Sequence, residues 1–172
     1  MRACFVLCLW LLSTVLQASE PRQLSWEALI PAGSVPAPMP MQPLHDLSQL
    51  AQVLSEQGPA ATQSARREPV VAELDGQHVK MPGYIVPLET GPDGRVNEFL
   101  LVPFFGACIH VPPPPSNQIV HAYSELGVHQ EALWQPYWVE GLLRVEHTEN
   151  ELADSGYKIT AYKVYNYALE DQ

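Results

Sequence analysis

From Pro69 onward the apolar residues of this chain recur at every second position, and that period decides most of what it can fold into. Val79, Met81, Gly83 and Ile85 alternate with His78, Lys80, Pro82 and Tyr84. Tyr137, Val139, Leu143 and Val145 share one side of a later run. A period of two gives a strand one face for a core and one for water. Residues 98–105 (EFLLVPFF) form the most apolar strand candidate, 119–123 a short one, and 156–167 a last one rich in aromatic and branched side chains. Asp75-Gly76 reads as a hairpin turn after a strand at 70–74, and Gly91-Pro92-Asp93-Gly94 as a second turn. About five strands therefore follow one another without long helices. Gly83 and Gly141 fall inside two of them, as glycines do at bulges and barrel corners. The pattern predicts a mostly β fold, a small five-stranded antiparallel barrel of the oligonucleotide/oligosaccharide-binding (OB) type, with a sandwich as the alternative. No internal repeat is visible.

The first 68 residues read differently. Arg2 precedes an uncharged apolar run at 3–16, then small Ala18 and Ser19 and polar Glu20. That order predicts a secretory signal peptide over 1–18, cleaved after Ala18, and a working location outside the cytoplasm. The run is shorter than the roughly 20 apolar residues that cross a bilayer; with Leu16 at the minus-three position, an uncleaved anchor is the second reading. Prolines 31, 36, 38, 40 and 43 keep the next stretch extended. This arm is expected to dock through Trp26, Leu29 and Ile30. Leu44, Leu47, Leu50, Ala51 and Leu54 predict one short amphipathic helix over about 44–57, ended by Gly58-Pro59, with a polar linker over 60–68. The expected organisation is a leader (1–18), an arm with helix and linker (19–68), and a barrel domain (69–172).

Charge narrows the partners. Without Arg2, eight Lys and Arg face nineteen Asp and Glu, a formal charge of −11. Such a surface repels phosphate backbones and anionic headgroups, so nucleic acid is not expected as a partner.

Cysteine use narrows the chemistry. Cys4 and Cys8 leave with the leader, and Cys108 stands alone. A single cysteine in an exported chain forms no internal disulfide, so it is buried, metal-bound, reactive or joined to another molecule. His110 lies two residues on, and alternate side chains of an extended backbone point the same way. A thiolate and an imidazole on one face suit zinc or another borderline-to-soft metal. They are half a zinc site. His121 is the best third ligand, because the stiff Pro112-Pro113-Pro114-Pro115 loop can return the chain towards His110. His78, His129, His147, Glu89 and Glu125 are further donors. The competing readings are packing, with Cys108 as a small buried hydrophobe and His110 locking the loop, and a reactive thiol. Asn117 and Gln118 are expected to bond the loop's own backbone. The four prolines form either a docking ridge for a partner or a spacer. Leu133-Trp134-Gln135-Pro136-Tyr137-Trp138 supplies the best surface patch, with Trp134 and Tyr137 as contacts. Nucleophile elbows, paired carboxylates of defined spacing and phosphate-cradling glycine loops are all missing from the sequence.

Three blocks carry a resemblance: Met81-Pro82-Gly83-Tyr84-Ile85-Val86-Pro87-Leu88-Glu89; Glu98-Phe99-Leu100-Leu101-Val102-Pro103; and Phe105 through Pro115 (FGACIHVPPPP) with Asn117-Gln118-Ile119-Val120. In these the chain resembles DUF3299, a family of exported bacterial proteins whose domain has no assigned function. Trp26 to Pro31 also looks like that family's N-terminal motif. Members resemble accessory proteins encoded beside a MacB-like ABC transporter, in some bacteria under zinc-dependent control. The resemblance implies a periplasmic role in metal supply or envelope transport. The expectation is a non-enzymatic accessory protein handling a transition metal, zinc first, through Cys108, His110 and His121. The alternative is a metal-free module partnering an ABC transporter or another envelope protein through Pro112 to Pro115, Trp134 and Tyr137. A thiol enzyme ranks last.

Overall fold

The computed structural model describes residues 20–34, 62–108, 111–129 and 133–167. The predicted leader at 1–18 and the helix predicted over 44–57 lie outside the described residues, as does His110.

Six strands form one sheet: β1 (Arg22–Gln23), β2 (His78–Thr90), β3 (Arg95–Val102), β4 (Val120–His129), β5 (Tyr137–Arg144) and β6 (Tyr157–Asn166). Five of them close a ring. β2 pairs β3, β3 pairs β4, β4 pairs β6 in parallel, β6 pairs β5, and β5 returns to β2. The first, second, third, fifth and fourth ring strands thus neighbour one another in that order. The barrel expected from the alternation is present, with β4–β6 as its single parallel seam and β1 lying alongside β2.

Alternation fills the barrel. Val79, Met81 and Ile85 of β2, Phe99 and Leu101 of β3, Val139 and Leu143 of β5, and Tyr157 and Ile159 of β6 are buried in one cluster. Leu24, Leu29 and Leu74 join it from the segments ahead of β2. The glycines sit where the ring turns. Gly83 pairs with Tyr137 of β5, and the next residue, Tyr84, pairs with Val102 of β3. Gly141 sits at a register shift between β5 and β6. The arm turns once as a 3-10 helix at Trp26–Leu29; Leu29 is fully buried, and the Trp26 indole Nε1 donates to the Pro82 carbonyl at 2.9 Å.

Three local expectations are corrected. Residues 70–74 hold no strand; Ala72–Leu74 is a 3-10 turn. Gly76, at φ +74°, does make the tight turn that Asp75-Gly76 predicts, but it leads out of that 3-10 turn and not out of a hairpin strand. The apolar run at 98–105 begins earlier and stops at Val102, since Pro103 has no amide donor for the ladder. The short strand expected at 119–123 extends over ten residues.

Candidate functional site

A second, smaller apolar cluster lies apart from the barrel interior. Val86, Leu100, Val102, Ala107, Ile119 and Ala153 are buried together, with Tyr84, Leu88, Phe104 and Cys108 packed against them. Leu100 and Val102 alternate with Phe99 and Leu101, which point inward, so this cluster sits on the outer face of β2–β3–β4. Two loops cover it. One follows β3 and contributes Phe104, Ala107, Cys108 and Ile119; the other is the β5–β6 loop, which brings Ala153.

The segment before the barrel straps both loops down. Gln63 is buried, and its Nε2 donates to the carbonyls of Pro114 and Asp154 while its Oε1 accepts from the Asp154 amide. The Ser116 amide donates to the Ala65 carbonyl, and the Asn117 side chain donates to the Pro69 carbonyl. Gln118 Nε2 donates to the carbonyls of Trp26 and Asn117. Gln118 thus bonds the loop's own backbone as expected, and Asn117 and Gln118 also tie the loop to the strap and the arm. Pro113, Pro114 and Pro115 are buried beneath these contacts, with Pro112 partly covered. A buried run offers no exposed ridge, so the four prolines serve as the spacer. Tyr137 is likewise 4% exposed and part of the barrel core, which removes it as a surface contact, whereas Trp134 is 68% exposed.

Cys108 sits in the covering loop at φ +67°, the single non-glycine residue with positive φ among the described residues. The left-handed region costs an L-residue roughly 1–2 kcal/mol, and residues held there cluster at functional positions. Its thiol is half-buried, and burial pushes its pKa from 9.0 up to about 12. A raised value keeps the sulfur protonated throughout the neutral range. Below pH 9, the folded chain should hold about a thousandfold less thiolate than the unfolded chain, because each pKa unit is a factor of ten. Iodoacetamide at pH 8 should accordingly label native Cys108 at least about tenfold more slowly than the same protein in 8 M urea, since the greater nucleophilicity of a high-pKa thiolate offsets part of the lost thiolate fraction. Equal rates in the two states would show that burial does not shield the thiol, and faster native labelling would show an activated one.

His121 is in a different condition. It stands on the outer face of β4 opposite Leu100 and is 8% exposed. Its Nε2 lies 2.6 Å from Glu98 Oε1, a diagonal cross-strand contact between β3 and β4. Its Nδ1 is buried and has no partner. An imidazole that gives Nε2–H to a carboxylate keeps a bare lone pair on Nδ1. Sequence reasoning missed Glu98 as a site residue, although it is the one charged residue of the apolar run at 98–105.

No group of three donors that includes Cys108 or His121 comes within 4.8 Å among the described residues. The one such group is His147, Glu149 and Asp154. Its carboxylates are already held: Arg66 NH1 lies 3.0 Å from Asp154 Oδ1, and Arg67 NH2 lies 2.7 Å from Glu149 Oε1. Two guanidinium groups at those oxygens make this an ion-pair clip between strap and loop. The remaining donors are scattered. His78 rests against the Tyr162 ring, and His129 and Glu125 are exposed on β4.

An open groove of about 430 Å³ adjoins His121's partner. Pro87, Leu88 and Leu152 give it apolar walls, and Glu89, Glu98 and Glu151 line it with carboxylates. Pro87 pairs with Phe99 and Glu89 with Glu98, so Leu88 is the additional residue of a bulge. Bulges re-aim side chains at such places. The groove runs between the β2–β3 ribbon and the β5–β6 loop.

Comparison with known proteins follows the same lines. The profile of the family described as "Protein of unknown function (DUF3299)" matches residues 26–166. The chain is similar to the crystal structure of a DUF3299 family protein from Pseudomonas aeruginosa PAO1, with 56% identity and a TM-score of 0.76, over 88% of this chain and 99% of that one. Asparaginyl-tRNA synthetase from Pyrococcus horikoshii, complexed with asparaginyl-adenylate, aligns at 20% identity and a TM-score of 0.31, over 55% of this chain and 20% of that one, a likeness too low to carry anything. No match was found among curated proteins.

Proposed function

This chain belongs to the DUF3299 family of proteins of unknown function, and on that premise we propose that it is an exported, non-enzymatic accessory protein that handles a transition metal, zinc first, around His121. The observation that carries the reading is the state of that imidazole: Nε2 fixed on the Glu98 carboxylate, Nδ1 buried and unpartnered. Metal-ligating histidines nearly always give their other ring nitrogen to a carboxylate or carbonyl, which sets the tautomer and raises the basicity of the ligating nitrogen.

The donors fit zinc in kind and in part. A borderline-soft ion accepts imidazole and thiolate, and Cys108 packs on the same outer-face cluster as Leu100, the residue opposite His121. When bound, zinc would supply the positive charge that displaces the thiol proton. Strain at Cys108 supports a role beyond filling space. His110 remains the third ligand of the proposal. A net acidic chain raises cation concentration at its surface, and it argues against nucleic acid as a partner. The leader pattern and the family resemblance support a periplasmic location for this reading, with an ABC transporter or another envelope protein as the partner. No helix among the described residues is long and apolar enough to cross a membrane.

Metal-stripped protein titrated with zinc is expected to take up one ion per chain. His121→Ala should abolish that uptake, and Glu98→Gln should weaken it by about 10–100-fold, as removal of an outer-sphere carboxylate does. Stoichiometric binding that survives His121→Ala would refute the site, and an absence of binding to the parent chain would refute the function.

A further inference from the structure

We propose that the outer face of β2, β5 and β6 docks an acidic polysaccharide, a chain of carboxylate-bearing sugars, independently of any metal at His121. Val79, Met81, Val139 and Leu143 point into the barrel, so His78, Lys80, Trp138, Glu140 and Leu142 point out. Across the strands Trp138 pairs with Pro82 and Tyr165, and Glu140 pairs with Lys80 and Lys163. Rings and cations interleave there. Lys80 Nζ lies 4.3 Å from the centre of the Trp138 ring and 5.5 Å from that of Tyr165, and Lys163 Nζ lies 4.6 Å from the Tyr165 centre. Tyr167 rests on Trp138 with ring centres 4.9 Å apart. Tyr162, half exposed, adds a ring at the register shift.

Charge identifies the occupant. β1, residues 78–83 of β2, β5 and β6 hold Arg22, Lys80, Arg144, Lys158 and Lys163, five of the eight Lys and Arg that remain after the leader, but one of the nineteen Asp and Glu, Glu140. Asp75 and Glu146 neutralise Arg144 and Lys158 at one end. At the aromatic end the carboxylate is Glu140, nine-tenths buried, which accepts from the Tyr165 hydroxyl at 2.6 Å and lies 3.6 Å from Lys163 Nζ. One sunken carboxylate between two ammonium groups leaves a net positive surface on a chain of charge −11. An anionic partner is complementary to this face and repelled elsewhere. The rings choose among anions. Three of the four are tyrosines, whose faces suit sugar C–H groups and whose hydroxyls suit sugar oxygens. Lys80 and Lys163 are point charges on strands separated by β5, roughly 10 Å apart, close to the length of two sugar units. That suits a polymer with a charge on each unit, whereas a compact phosphate is the usual target of an arginine fork. A membrane surface would call for aliphatic anchors, and besides Pro82 the single aliphatic side chain on these rows is Leu142.

Calorimetry on the full chain in EDTA tests this with hexagalacturonate as the probe. Maltohexaose, poly-glutamate and phosphatidylglycerol vesicles are the comparisons, and Tyr162→Ala/Lys163→Gln is the variant. Hexagalacturonate should bind at least about tenfold more tightly than neutral maltohexaose, and more tightly than poly-glutamate. Raising NaCl from about 50 mM to about 500 mM should weaken it severalfold, since exposed charges carry the attraction. The double variant should bind roughly tenfold or more weakly, having lost one ring and one ammonium group. Both substituted side chains are at least half exposed, so its melting temperature should stay close to the parent's. Should the double variant fail to fold, Lys163→Gln alone is expected to weaken binding severalfold. No binding at millimolar hexagalacturonate would overturn the proposal, as would equal binding of maltohexaose or poly-glutamate, a preference for the vesicles, or undiminished binding by the folded variant. EDTA keeps a failure here distinct from a failure of the zinc site at His121.

Discussion

Gly141→Ala is expected to prevent folding, or to destabilise the protein by more than about 3 kcal/mol, at the upper end of what overpacking does. A Cβ at position 141 would lie 2.4 Å from the Thr160 carbonyl oxygen and 2.9 Å from Ala161 Cα. Both are backbone atoms of β6, the strand that closes the ring against β5, so neither can rotate aside. Relief would require the two strands to separate at the register shift where they are already irregular. Gly94→Ala is the control. That glycine has φ +76° and nothing within 4 Å of an added Cβ, so only the left-handed backbone is penalised, at about 1 kcal/mol. Urea unfolding of the pair, followed by circular dichroism, should separate them clearly. Near-equal midpoints would mean that β5 and β6 tolerate a wider spacing than the structure shows.

Tyr157→Phe is expected to cost about 2–3 kcal/mol through the loss of one oxygen atom. Tyr157 is fully buried in β6. Its hydroxyl donates to the Leu29 carbonyl and accepts from the Val71 amide, each at 2.7 Å. One atom thus ties the arm and the strap to the barrel. Removing it leaves a carbonyl and an amide without partners, and a buried group left unsatisfied costs more than its bond contributes. The phenol is also held above its ordinary pKa, chiefly by burial. An un-ionised native phenol with a higher pKa than the unfolded one stabilises the fold below about pH 10 and loses that contribution as pH rises further. Thermal melts at pH 7 should drop by roughly 5–10 °C in the variant, given the size of the domain. A melt within 1 °C of the parent would show that the arm and strap are held by other contacts.

The two positions also show what a reader of the sequence can and cannot see. The alternation at 79–85 and 137–145 and the glycines at 83 and 141 announce strands and their corners, because burial period and backbone sterics are local. The turn at 91–94 is legible for the same reason. Tyr157 reads only as one aromatic residue in a strand, since its two partners lie 128 and 86 residues away in sequence. The same distance effect hides the candidate site. His121 can be picked as a ligand by its residue type, but Glu98 becomes its partner only when β3 and β4 pair in this register. The prolines mislead for a complementary reason. A polyproline run is rigid in either setting, and whether it forms a ridge or a buried spacer depends on the strap residues, Gln63 above all, that lie over it. The segment at 70–74 has strand composition but no edge left to join, because β5 and β1 already flank the start of β2.

The parallel seam between β4 and β6 has a temporal side. β6 lies between β4 and β5 in space yet follows both along the chain, so β5 has no neighbour on that side until residues 157–166 exist. During synthesis the first four ring strands can form only an open curl with two bare edges. Closure waits for the last strand to slot into the gap, an insertion dominated by contacts far apart in sequence, which makes for slow folding. A copy cut short before Tyr157 would therefore be an open sheet with unsatisfied strand edges, prone to pair with its neighbours, and not a smaller barrel.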